Sequence, residues 1–238
     1  MTFFVEPRRP RQPFLLAPWP VLLLIGLLAT AYAALALAPG ALQDRILFDY
    51  AFIPARYSPA FLAAAHVNPG SLWAQALPFV SYIFLHGSLE HLAVNSVWLL
   101  PFGAVVARRF GATLFIIFFL VCGVAGAAAH LACNWGSPVP VVGASAAISG
   151  LMGAAFRMMN VYDGTLASVF SRRILTWSAV WIGINVLAGL TGLGTGTTTV
   201  QLIAWQAHIG GYFAGLLLAG PFALLSDWRL ERSQTGHR

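Results

Sequence analysis

The stretch from Pro78 to Cys133, PFVSYIFLHGSLEHLAVNSVWLLPFGAVVARRFGATLFIIFFLVCGVAGAAAHLAC, holds two apolar runs, Pro78 to Val106 and Ala112 to Cys133, on either side of Arg108 and Arg109. Each run is long enough to cross ~30 Å of hydrocarbon at about 1.5 Å per residue. Two such runs with paired arginines between them read as a hairpin whose arms lie in lipid and whose turn stays in water. Outward from this hairpin the same criterion finds four more runs: Trp19 to Ala38, Gly143 to Met159, Leu175 to Leu193 and Val200 to Leu224. The run from Gly143 to Met159 is short, so it spans with little tilt or begins below the membrane surface. The expected fold class is all-α: a polytopic membrane helix bundle of six transmembrane helices. It forms one domain over residues 1–238, with tails at 1–17 and 225–238.

Composition agrees. The chain has 238 residues, 59% apolar and 8% charged, where a soluble domain carries roughly 25% charged residues. Too few polar groups remain to cover a water-facing surface, which excludes an ordinary soluble globular protein. All 13 basic residues are Arg, and the net charge of +6 is spread in clusters between apolar runs. No single basic face results, so nucleic acid is not an expected partner and the lipid bilayer is. With six crossings, Arg8, Arg9, Arg11, Arg108, Arg109, Arg157, Arg172, Arg173, Arg229, Arg232 and Arg238 share one face, opposite Arg45 and Arg56. The positive-inside bias makes that face, and both termini, cytoplasmic.

The first run begins after arginines, as a secretory signal does, but it exceeds the usual 7–15 residues and is read as a retained span. Pro39 to Leu77 is the longest piece between runs. Its aromatics and prolines, among them Phe48, Tyr50, Phe52, Pro54, Tyr57, Pro59 and Phe61, suit a loop half sunk in the outer interface. Gly189 to Thr199, GLTGLGTGTTT, reads as a flexible outer loop. Cys122 and Cys133 lack metal-ligand spacing and are read as small core residues. No metal or other cofactor is expected, and no tandem repeat stands out.

Polar side chains inside lipid are costly and therefore informative. They are His91 and Asn95 in the second run, His130 in the third, Ser145 and Ser149 in the fourth, Asn185 in the fifth, and Gln206 and His208 in the sixth. Runs two, four and six cross in one direction, and His91, Asn95, Ser145 and His208 all fall in their outer halves. His91 and Asn95 are four residues apart and share a helix face. Gly143, Gly150 and Gly153, with Gly210, Gly211 and Gly215, leave room for close helix approach. Ser145 and His208 can then form an activated nucleophile and its general base. The carboxylates Glu6, Asp44, Asp49, Glu90, Asp163, Asp227 and Glu231 lie in tails, loops or span ends, so a Ser-His dyad is expected rather than a triad. Asn95, His91 and the Ser145 backbone N–H would stabilise the oxyanion. Set against this, a membrane serine commonly bonds the carbonyl four residues back and does nothing else. His130 is read as structural or interfacial.

Three motifs carry a family likeness: His91-Leu-Ala-Val-Asn95, preceded by Phe84-Leu-His86-Gly87; Gly143-Ala-Ser145-Ala146-Ala-Ile-Ser149-Gly150; and Ala207-His208-Ile-Gly210-Gly211, followed by Gly215. In order and depth the sequence resembles the rhomboid family of intramembrane serine proteases, over roughly Pro78 to Leu224. The resemblance implies that Ser145 is the nucleophile, His208 its base, and His91 and Asn95 oxyanion stabilisers, in a water-filled cavity open to the outside. It implies cleavage of transmembrane protein substrates that enter between spans two and five. The absence of a transit-peptide pattern, together with the short tails, makes a bacterial inner membrane the expected location. Ser149 is a rival nucleophile one turn deeper. Ala146 stands where the family usually has Gly, and the first outer loop lacks the family's Trp-Arg pair. The alternatives are a catalytically inactive rhomboid-like protein that binds membrane clients, and a transporter or channel using the polar layer as a pathway, which the lack of intramembrane charges and of inverted repeats disfavours.

Overall fold

A computed structural model describes residues 17–159, 165–191 and 204–235. Helices account for almost all of the ordered structure: α1 (Trp19–Ala36), α2 (Gly40–Tyr50), α3 (Pro59–Ala65), α4 (Leu72–Ala76), α5 (Pro78–Ser81), α6 (Leu89–Cys133), α7 (Ser145–Met158), α8 (Arg172–Thr191) and α9 (Trp205–Thr235), with short 3-10 turns at Pro54–Tyr57 and Tyr82–Phe84. Among the described residues, α1, α6, α8 and α9 are long and apolar enough to cross a membrane. The chain is thus an integral membrane helix bundle.

Helix α6 has 45 residues and breaks at Gly111, whose φ of 74° and ψ of 168° are not helical. Only glycine takes such a backbone without strain. The break follows the two arginines and divides α6 into the two arms expected from the sequence. It is tied to the far end of α9: the Arg109 guanidinium donates two 2.8 Å hydrogen bonds to the Asp227 carboxylate, and Ser226 Oγ donates to the Arg109 carbonyl at 3.0 Å. The first arm starts at Leu89 rather than Pro78. The intervening residues form α5 and the Tyr82–Phe84 turn, and Ser88 caps the long helix by accepting from the His91 N–H at 3.1 Å. Helix α7, with 14 residues, is about 21 Å long and stops short of a full hydrocarbon crossing.

The core sits where α7 is enclosed by α6 and α9. Eleven of the fourteen α7 residues are buried. Helices α7 and α9 run parallel with glycine against backbone: Gly211 faces Ala146, Gly215 faces Gly150, and a methyl on Gly153 would fall 2.5 Å from the Tyr212 carbonyl. The second arm of α6 lies antiparallel to both, with Gly126 beside Ala146 and Ala207, while Cys122 packs at Gly150. Helix α1 buries only one face, through Val21, Leu24 and Leu28. Its Leu22, Leu23 and Leu27 are exposed, as are Leu175, Val180, Ile184 and Leu187 on α8, as expected of lipid-facing surfaces. Cys133, expected in the core, is instead exposed at the end of α6; Cys122 is buried. Helix α9 continues through residues 225–235, which the sequence reading treats as tail.

The segment between α1 and α5 is an excursion of short helices with exposed Phe48, Leu72 and Trp73. An aromatic cluster pins it. Phe52 is fully buried, its ring 4.8 Å from Phe79, 5.5 Å from Tyr57 and 6.0 Å from Tyr82. Phe52 also exchanges both backbone hydrogen bonds with Val141, at 3.0 and 2.8 Å. This attaches the excursion to the strap that leads into α7, and Arg56 donates to the Phe48 carbonyl at 2.8 Å.

Candidate active site

Three helix N-termini converge on one layer. Ser145 is the first residue of α7, His91 lies in the first turn of α6, and His208 lies in the first turn of α9. Before α7 the chain turns at Gly143, with φ of 117°, and the Gly143 N–H donates to the Tyr82 carbonyl at 2.9 Å. The Tyr82 hydroxyl in turn donates to the Gly123 carbonyl on α6 at 2.7 Å. Ser145 is therefore placed by backbone contacts from two sides, and the close α7–α9 packing sets His208 opposite it.

His208 Nε2 and Ser145 Oγ are 2.7 Å apart. The sequence-predicted pair is thus within hydrogen-bond reach. On the other side of the ring, His208 Nδ1 lies 2.8 Å from Asn185 Oδ1. On this side the ring faces an amide on α8 and not a carboxylate. Asn185 shows in the sequence only as a polar residue in an apolar run, with no motif around it to mark a partner.

His91 closes the gap from the α6 side. A methyl built on Gly143 would fall 2.7 Å from Cε1 and Nε2 of His91 and 3.8 Å from Ser145 Oγ. The imidazole edge and the serine hydroxyl thus flank one small space beside the bare Gly143 Cα. Asn95 is buried one turn further in, and its Nδ2 donates to the His91 carbonyl at 2.9 Å. That bond uses one of its two amide protons within its own helix. At the start of α7 the N–H groups of Ser145, Ala146 and Ala147 have no carbonyl one turn earlier to accept them, and the helix dipole adds partial positive charge there.

Ser149 is not in this constellation. Its hydroxyl donates to the Ser145 carbonyl at 2.7 Å, the bond expected of an ordinary serine in a membrane helix. Glu90 sits in the first turn of α6 with an exposed side chain. His130 pairs with Asn134, 3.2 Å from Nδ1, and with Gln206. Ala146 places its methyl against Gly126, where a Cβ would be 2.6 Å from it. The Gly189 to Thr199 loop lies outside the described residues from 192 onward.

A bundle of apolar helices with a serine, a histidine and helix N-termini gathered in one polar layer defines a class of integral membrane proteins with a polar layer inside the bundle. Comparison with known proteins makes the class specific. The family model for the rhomboid domain matches residues 70–224, and the chain belongs to the rhomboid family. It is 31% identical over 158 residues to the rhomboid protease GluP of Bacillus subtilis (strain 168), covering 66% of this chain and 27% of that protein. It is 26% identical over 163 residues to RHOMBOID-like protein 7 of Arabidopsis thaliana, covering 67% of this chain and 47% of that protein. A third relative, RHOMBOID-like protein 4 of Arabidopsis thaliana, is 30% identical over 149 residues, 60% of this chain and 32% of the relative. The chain thus spans less than half the length of these relatives.

Proposed function

We propose that this protein is an intramembrane serine endopeptidase that cleaves transmembrane segments of other membrane proteins. The observation that carries the reading is the 2.7 Å approach of His208 Nε2 to Ser145 Oγ, at a helix N-terminus inside an apolar bundle. His208 accepts the Ser145 proton as Oγ attacks the scissile carbonyl carbon, and the oxyanion forms in the space bounded by His91, the second Asn95 amide proton and the Ser145 N–H. The His208 proton then passes to the leaving amine as the C–N bond breaks. Water, deprotonated by the same ring, hydrolyses the acyl-serine and restores Ser145.

The chemistry sets the substrate class. A stable helix hides its carbonyls in internal hydrogen bonds, so the cut requires a segment that unwinds at small or helix-breaking residues. Entry between the first arm of α6 and α8 is supported by the slight burial of α8, where Ile174, Ser178 and Gly189 are the buried residues. Counting each arm of α6 and the short α7 as a crossing gives six spans, with both termini cytoplasmic and the site opening to the outside of a bacterial inner membrane.

Cleavage of a fluorogenic transmembrane peptide by the purified full chain in liposomes tests the reading. Turnover lost in Ser145→Ala and in His208→Ala is the expected result. Absence of turnover by the unmodified chain across a panel of such peptides would instead favour a catalytically inactive, client-binding member of the family.

A further inference from the structure

The hydrogen bond from His208 to α8 assigns a role to a residue that no motif marks. Asn185 Oδ1 is an acceptor only, so the ring nitrogen 2.8 Å from it, Nδ1, must carry the proton. The amide orientation is fixed independently: Asn185 Nδ2 donates to the Trp181 carbonyl at 2.9 Å. Flipping the amide would set two oxygens against each other there and leave the imidazole facing a donor. With Nδ1 protonated, a neutral His208 presents its Nε2 lone pair to Ser145, the tautomer a general base requires.

Helix α8 holds Asn185 in place through one face. Ser178 Oγ is 2.7 Å from the Tyr212 hydroxyl, Trp181 stacks on Tyr212 with centroids 5.5 Å apart, and Gly189 lies against the Trp205 ring. Residues 178, 181, 185 and 189 follow helical spacing, so the face that docks α8 also presents Asn185 to His208. The Trp181 ring also meets the His208 ring edge-on, 6.3 Å between centroids.

We infer that Asn185 is a positioning residue that selects the His208 tautomer and holds the ring toward Ser145, making the site a Ser145–His208–Asn185 relay completed by α8. This rests on the hydrolytic reading above and deepens it.

The test uses the full chain in detergent with 15N-labelled histidine, comparing the unmodified protein with Asn185→Asp, Asn185→Leu and, for resonance assignment, His208→Gln. In the unmodified protein His208 is expected as the Nδ1–H tautomer, retained in Asn185→Asp and lost or mixed in Asn185→Leu. In parallel, kcat on the transmembrane peptide falls in Asn185→Leu by about tenfold or more, within the roughly 10²–10⁴-fold that a general base contributes, with KM little changed; Asn185→Asp restores a large part of it. If Asn185→Leu failed to fold, the unmodified and Asn185→Asp spectra would still decide the tautomer. An Nε2–H tautomer in the unmodified protein, or unchanged kcat and tautomer in a folded Asn185→Leu, overturns the inference. Loss of the hydrolytic reading alone would show differently, as an Nδ1–H tautomer in a chain without turnover.

Discussion

Gly215 on α9 lies against the backbone of Gly150 on α7 with no space for a methyl group between them. The same holds one turn earlier, where Gly211 meets the Ala146 carbonyl. In lipid there is little hydrophobic gain from helix association, so such backbone contact is itself a main source of stability. It also fixes the distance between Ser145 and His208, which stand at the same end of the two helices.

Gly215→Ala is therefore expected to destabilise the bundle by about 1–3 kcal/mol or more, because the obstructing atoms are backbone and cannot rotate away. Gly183→Ala, whose new methyl meets nothing within 4 Å, should be neutral or mildly stabilising, by up to about 1 kcal/mol. Thermal unfolding in one detergent compares the two. Equal melting temperatures would contradict the packing described.

The pair Gly126 and Ala146 makes a sharper prediction. A methyl on Gly126 would fall 2.6 Å from the Ala146 Cβ and 2.7 Å from the Ala207 carbonyl. Gly126→Ala should destabilise the protein, Ala146→Gly should be tolerated, and the double variant should recover only part of the loss, because the Ala207 carbonyl still obstructs. A double-mutant cycle of unfolding free energies reads the coupling, expected at about 0.5–3 kcal/mol for residues in contact. Strict additivity would show that the two positions do not share this space.

Much of this arrangement was legible in the sequence, for physical reasons. Arg108 and Arg109 between two apolar runs located the turn in α6, and the glycines at 150, 153, 211 and 215 located the close helix approach. His91, Ser145 and His208 stood out because polar groups are costly where they lie. Asn185 was visible by the same criterion but had no assignable partner, since the rotation of α8 about its axis is set by packing at Ser178, Trp181 and Gly189 rather than by local pattern. The start of α6 at Leu89 is hidden in the sequence for a related reason: Pro78 to Leu85 is apolar enough to continue a span, yet it is held apart by the Tyr82 contacts to Gly123 and Gly143. Composition alone also could not place Cys133, which is apolar in character but exposed at a helix end.

Phe52 ties the outer excursion to the strap before Ser145, so its removal reaches the site indirectly. Phe52→Ala should cost about 3–5 kcal/mol through the cavity left among Tyr57, Phe79 and Tyr82. It should also slow peptide cleavage, since Val141 is two residues from Gly143. Phe48→Ala, at an exposed ring, serves as the comparison and should change neither. Matching behaviour of the two variants would contradict the anchoring role.

Tyr57 gives a pH dependence. Burial pushes its hydroxyl up from 10.0 to about 12, against the opposing pull of Arg56, while the hydroxyl donates to the Gln75 carbonyl at 2.8 Å. The folded state keeps this proton longer than the unfolded chain does. The resulting stability is present below pH ~10 and is lost as pH rises toward about 12. Melting temperatures between those limits should fall less steeply in Tyr57→Phe, and identical slopes would remove the assignment.

The proposed function stands on Ser145 being an activated nucleophile with His208 as its base. Fluorophosphonate labelling of the detergent-purified chain, with the modified residue located by mass spectrometry, tests it most directly. The account predicts a single adduct on Ser145, absent in Ser145→Ala and His208→Ala and retained in Ser149→Ala. An adduct on Ser149, or labelling that persists in His208→Ala at the unmodified rate, would contradict it.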